Sequence, residues 1–154
     1  PNMVKDLSFT FDDEGFYTNQ KCFILTGNHL QYLVAVFNSK LFRFCFEDEF
    51  PELQGNSREL NKVVFDKIPI KEIDTKIEIQ FEALTKKVLQ LNKQGLVSSM
   101  YENKIDALVF HLYGLTEQEM LQVLDTFKDL SIKDRNQIQN EYWNIANNKF
   151  QLDI

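Results

Sequence analysis

Five apolar residues, Ile77, Phe81, Leu84, Val88 and Leu91, follow one another at steps of four, three, four and three positions. An α-helix turns once per about 3.6 residues, so this alternation puts all five on one stripe. The spacing predicts a continuous helix over 75–94, roughly 30 Å long at the usual rise per residue, with one face that needs cover. Gly95 stands where a left-handed residue would end it. The chain beyond supplies the cover in the same language. Ser99-Met100-Tyr101-Glu102 reads as a capping box ahead of Ile105, Leu108, Val109 and Leu112, with Gly114 as the stop. Thr116-Glu117-Gln118-Glu119 is a second box ahead of Met120, Val123, Leu124 and Phe127. Ser131 is placed to cap a last helix through Ile138, Tyr142 and Ile145. Residues 74–154 are therefore expected to be a helical part: one long coiled-coil-like helix, then three shorter ones.

Residues 1–73 carry a different pattern. Leu7, Phe9 and Phe11 alternate with polar residues, as in a half-buried strand. Asp12-Asp13-Glu14-Gly15 reads as a turn, and Phe16-Tyr17 with Cys22-Phe23-Ile24-Leu25 suggests a hairpin or two adjacent strands. Asn28 is placed to cap a helix bearing Leu30, Leu33, Val34, Phe37, Leu41 and Phe44 on one face. Glu47-Asp48-Glu49 and Pro51 stop it, and residues 54–57 form a loop. Val63-Val64-Phe65 and Ile68-Pro69-Ile70 look extended, because Pro69 pushes Ile68 out of helical geometry. The fold class expected is α+β. A small mixed sheet with a packed helix occupies 1–73, followed by the long helix and the helical C-terminal region.

Composition sets limits on function. In a chain of 154 residues with 44% apolar content and fourteen Phe, one core can be filled and disorder is not expected. No run of about eighteen apolar residues occurs, so no membrane helix is expected. Pro1 to Asp6 lacks the charged and apolar regions of a signal peptide. Cys22 and Cys45 each sit in an apolar run, as reduced, buried thiols of a cytoplasmic protein would. The chain opens at Pro1 without an initiator Met and is expected to be a fragment or a trimmed chain. The net charge of −6 argues against a strong nonspecific nucleic-acid binder.

Catalytic constellations are missing. No glycine-rich phosphate or cofactor loop is present. Cys22, Cys45, His29 and His111 are too scattered for a metal site. Glu47, Asp48, Glu49 and Glu52 could hold a divalent cation, but no paired Lys completes a nuclease motif, and a solvated acidic loop is the plainer reading. No catalytic activity and no cofactor are expected of this chain.

Three segments resemble a known family. The first is Tyr17-Thr18-Asn19-Gln20-Lys21-Cys22-Phe23-Ile24-Leu25, followed by Tyr32-Leu33-Val34-Ala35-Val36-Phe37-Asn38-Ser39-Lys40-Leu41. The second runs from Arg58 through Val63-Val64-Phe65-Asp66-Lys67-Ile68-Pro69-Ile70. The third is Ile105-Asp106-Ala107-Leu108-Val109-Phe110-His111-Leu112-Tyr113-Gly114-Leu115-Thr116-Glu117-Gln118-Glu119. Together they resemble the TaqI-like C-terminal specificity domains of Eco57I-type adenine-specific DNA methyltransferases and of fused type IIG restriction–modification enzymes. The family commonly has a second Pro where Lys71 stands, and beyond Phe127 the chain matches no family pattern. The resemblance implies a target-recognition domain that reads double-stranded DNA. An upstream methyltransferase domain of the same parent chain would bind S-adenosylmethionine, and some members add an endonuclease.

Such a domain needs cations for phosphates and amides or hydroxyls for base edges. Lys40 and Arg43, three apart on a helix, are phosphate candidates. So are Arg58, Lys62 and Lys67, which with Lys71 face only Glu59 and Asp66 across 54–71, a local balance of +2. Thr18, Asn19, Gln20 and Lys21 offer base-reading chemistry in one turn, and Asn56, with Gln54 and Ser57, offers it in another. The alternative is a helical docking or dimerisation module, favoured by the four–three seam and the acidic charge.

Overall fold

The computed structural model describes residues 3–4, 8–18, 22, 24–46, 49–53, 57–60 and 62–152. Its first half contains β1 (Met3–Val4), α1 (Leu30–Asn38), α2 (Lys40–Phe46), β2 (Glu52–Leu53), β3 (Ser57–Glu59) and α3 (Lys62–Phe65). The second half is α4 (Thr75–Lys93), α5 (Ser99–Leu112), α6 (Glu117–Thr126) and α7 (Ile132–Ala146).

The chain is mostly helical, which corrects the α+β expectation. Among the described residues, strand pairing covers two or three residues per strand, in the antiparallel order β1-β3-β2, with Met3 opposite Glu59 and Glu52 opposite Arg58. Strands this short cannot present an alternating face for a helix to cover. Val63-Val64-Phe65, expected to be extended, lies in α3 instead. Val64 and Phe65 both pack on the same aromatic cluster, which one helical turn permits and the alternating faces of a strand do not. Ile68 and Ile70 do turn inward around an exposed Pro69, but pair with no strand. The hairpin expected around Phe16-Tyr17 and Cys22–Leu25 is also absent among the described residues, where Phe16, Tyr17, Ile24 and Leu25 are exposed.

The single helix expected from Leu30 to Phe44 is two. Ser39 is extended at ψ 155°, ending α1 and capping α2. Its Oγ donates to the Val36 carbonyl at 2.6 Å and accepts from the Phe42 amide at 3.2 Å. The break re-phases the chain: Leu41 and Phe42 turn inward while Phe44 and Cys45 turn outward. Cys22 and Cys45 are accordingly free and exposed rather than buried. His29, not Asn28, is the residue before α1, at φ 59°.

The second half follows its caps. Asp74 accepts from the Ile77 amide at 2.8 Å and opens α4, which runs unbroken for 19 residues. Two Schellman motifs end α4 and α5. The Leu96 amide reaches the Leu91 carbonyl at 2.9 Å around Gly95, and the Leu115 amide reaches the Phe110 carbonyl at 3.0 Å around Gly114. Thr116 and Glu119 make a reciprocal capping box on α6, and Ser131 caps α7. At α5 the expected box is displaced: Ser98 is the N-cap and its side chain makes no cap bond.

Two cores result. In the larger, Phe81 and Leu84 of the α4 seam are fully buried between α1 and α5, with Ile77, Val88 and Leu91 packed at the edges. α1 from the first half thus shares the cover with the helices that follow. α5 is buried from Asn103 to Phe110 and forms the centre. The smaller core is aromatic: Phe37, Phe42 and Phe50 with Leu60, edged by Phe9 and Phe65. Phe65 meets Phe9, Phe37 and Phe50 at centroid distances of 5.7, 5.5 and 5.4 Å. Leu33 and Ile70 touch both cores.

Candidate nucleic-acid interface

The Asn-Ser-Lys segment is a joint, and each side chain has an internal partner. Asn38 clamps the N-terminal segment: it accepts from the Phe9 amide at 3.0 Å and donates to the Phe9 carbonyl at 2.8 Å. Ser39 makes the turn described above. Lys40, expected on a phosphate, instead pairs with Asp106 of α5, Nζ to Oδ2 at 2.6 Å, while its amide donates to Oδ1 at 2.7 Å. A carboxylate from the central helix therefore satisfies the first free amide of α2. Burial pushes the Asp106 carboxyl above its ordinary range, and the Lys40 ammonium opposes that shift.

The other cations divide. Arg58, central in the small sheet, is half-buried and donates from Nη1 to the Phe50 carbonyl at 3.2 Å. Arg43 is half-buried on α2. Lys71 donates to the Leu112 carbonyl at 2.6 Å. Lys62 and Lys67 stand in solvent on α3 and the turn after it. Lys62 reaches Asp66 one turn along, a pair so exposed that salt and water keep it weak. Among the base-reading candidates Thr18 is exposed, while Asn19, Gln20, Lys21 and Asn56 lie outside the described residues, as does Gln54. Ser57 is half-buried on β3.

The turn leading to Thr18 is built by Asp12. Its carboxylate accepts the amides of Glu14, Gly15 and Phe16 at 2.9, 3.1 and 2.8 Å. Those amides, the Glu14 one foremost, hold its pKa below the ordinary value. Gly15 supplies the left-handed residue at φ 75°. The Lys93 ammonium at the end of α4 pairs with Glu14 and braces the turn from below. Beyond it Phe16 and Tyr17 project, 72% and 103% exposed.

The structure therefore brings two described segments onto one support. The 9–18 segment is held by Phe9 and Asn38, and the basic stretch by Phe65, on the same aromatic core. It does not bring Lys40 to that surface. Sequence reasoning missed the polar side chains of α5. Asn103 donates to Asp134 of α7 at 2.8 Å, and Lys104 donates to the Gln151 carbonyl of the C-terminal segment at 2.6 Å. The available signal was their position inside an otherwise apolar helix. It also missed the acid-free run 83–101, whose Lys86 and Lys87 lie on α4 with Ala83 and Gln90.

Neither His joins a reactive arrangement. His29 contacts Glu78 at the start of α4, and His111 packs edge-on against Tyr142 at 6.3 Å. Among the described residues no group of His, Cys, Asp and Glu is placed to hold a metal, and no helix is long and apolar enough to cross a membrane. No family model matches the chain, and no curated protein or solved structure matches it significantly.

Proposed function

We propose that this chain is a sequence-reading domain for double-stranded DNA, serving an adenine-specific methyltransferase of the restriction–modification type. The observation that carries the reading is the shared aromatic support. Loops that contact one duplex must keep fixed spacing, and here the 9–18 segment and the 57–67 segment are anchored to the same buried rings. Lys62, held only by its exposed pair with Asp66, and Lys67 are the exposed cations of this stretch that can meet phosphates, with Arg58 and Arg43 nearer the support. Thr18, with Asn19, Gln20, Lys21 and Asn56, supplies the side chains for base edges. S-adenosylmethionine and the transfer chemistry belong to a methyltransferase domain of the parent chain, working in the cytoplasm.

The second reading is a protein-docking module. Its specific support is the fully exposed Tyr17 with Phe16 beside the carboxylates of Asp12 and Asp13, a combination suited to a basic protein surface. One titration separates the two. Anisotropy of a labelled duplex is followed against salt for the chain, for Lys62→Ala with Lys67→Ala, and for Phe16→Ser with Tyr17→Ser. The DNA reading expects the lysine changes to weaken binding to every sequence and to lower the salt slope by about one unit per lost contact. Unchanged affinity and slope for the lysine variant, or no duplex binding at low salt, sinks it in favour of docking.

A further inference from the structure

Between the two cores lies a cavity of about 140 Å³. Val36 and Val109 of the larger core form one wall, and Phe42 and Ile68 of the smaller core form the other, with Ile70 shared. We propose that this cavity is a binding site for a small, purely apolar molecule, a single aromatic ring or a short branched hydrocarbon. Size sets the first limit: the pocket opens to solvent beside the exposed Cys45 and Pro69, and its volume is close to that of apolar protein cavities that admit benzene or xenon.

The lining sets the second limit. Its two hydroxyl groups already have partners within the chain. Ser39 Oγ is bonded to the Val36 carbonyl and the Phe42 amide. The Tyr113 hydroxyl donates to the Pro69 carbonyl at 3.3 Å and accepts from the Lys71 amide at 3.4 Å. A ligand that brought its own donor or acceptor would lose it to desolvation without return. Cys45 at the rim offers a polarisable sulfur suited to a ring. Because the walls come from different cores, occupancy joins them: the ligand is the packing that the joint lacks.

The test uses the full 154-residue chain with Cys22→Ser, so that Cys45 is the single thiol, and benzene as the probe. Methyl NMR should show benzene cross-peaks to Val36, Ile70 and Val109. Alkylation of Cys45 by iodoacetamide should slow about tenfold when benzene is present at ten times its dissociation constant. Val36→Phe, which puts a ring in the cavity from within, should abolish both effects. Absence of cross-peaks to these methyls with near-saturating benzene overturns the proposal. So does undiminished protection in a folded Val36→Phe chain. Should that variant not fold, the cross-peaks of the parent chain decide alone.

Discussion

The helical half and the phenylalanine-rich front of the molecule are held in different ways. Each helix from α4 to α7 starts or stops on local chemistry: Asp74, Gly95, Gly114, Thr116, Ser131. Its apolar stripe then decides where it packs. In the front, among the described residues, the longest element after α1 has seven residues and the strands have two or three. Their positions are set by rings from Phe9, Phe37, Phe42, Phe50 and Phe65, drawn from far apart in the chain. One region encodes its backbone within each segment. The other encodes it only when the segments meet.

The largest effect expected from this difference comes from paired truncations. Phe81 and Phe50 are both fully buried rings, one in each core. Each change to Ala removes the same transfer free energy and leaves a cavity, a cost of about 3–5 kcal/mol. Phe81→Ala should lower the urea midpoint of the whole chain. Phe50→Ala should instead open the front alone, with hydrogen exchange accelerating in β3 and α3 while α5 keeps its protection. Equal loss of protection in α5 for both variants would mean that one cooperative core, not two, holds the molecule.

This contrast also explains what was legible. The α4 seam, the two glycine stops, the Thr116 box and the Ser131 cap were all readable, because residues within about four positions make each of them. Val63-Val64-Phe65 was not. Its β-branched composition favours a strand, and only contact with Phe9, Phe37 and Phe50 makes a helical turn the better fit. The break at Ser39 was hidden likewise, since it depends on Asp106, 66 residues away from Lys40. The same distance turned Lys40 from a phosphate candidate into an internal ion pair. The Leu112–Glu119 stretch, part of the third segment of the family resemblance, folds as a Schellman stop followed by a capping box. Its sequence is thus explained by helix geometry, and the base-reading turns carry the functional question.

Asp106 is the place to sharpen the comparison, because it reaches from the centre of one region to the joint of the other. Asp106→Ala should cost about 3–5 kcal/mol, since it leaves Lys40 unpaired and the α2 amide without an acceptor. The double variant Lys40→Met with Asp106→Leu should recover most of that loss, as apolar replacement of buried pairs often does. Urea denaturation of the three chains measures it. A double variant as unstable as the single one would show that the carboxylate acts through the α2 amide rather than through the lysine.

Smaller effects separate the two kinds of signal within the helical half. Gly114 has φ 74° and open space around the position of a Cβ, so Gly114→Ala is opposed by backbone strain alone, about 1 kcal/mol. That penalty involves no proton and should be the same at pH 3 and pH 7. The start of α6 behaves differently. The Thr116 amide and hydroxyl hold the Glu119 carboxyl below its ordinary range. A depressed folded pKa means that its contribution is fully present above the unfolded value. It is lost as pH falls through the folded one. Glu119→Gln should therefore lower the melting temperature at pH 7 and match the parent chain at strongly acid pH. A Glu119→Gln deficit that persists undiminished into acid would place the stability of this helix start in packing rather than in the carboxylate.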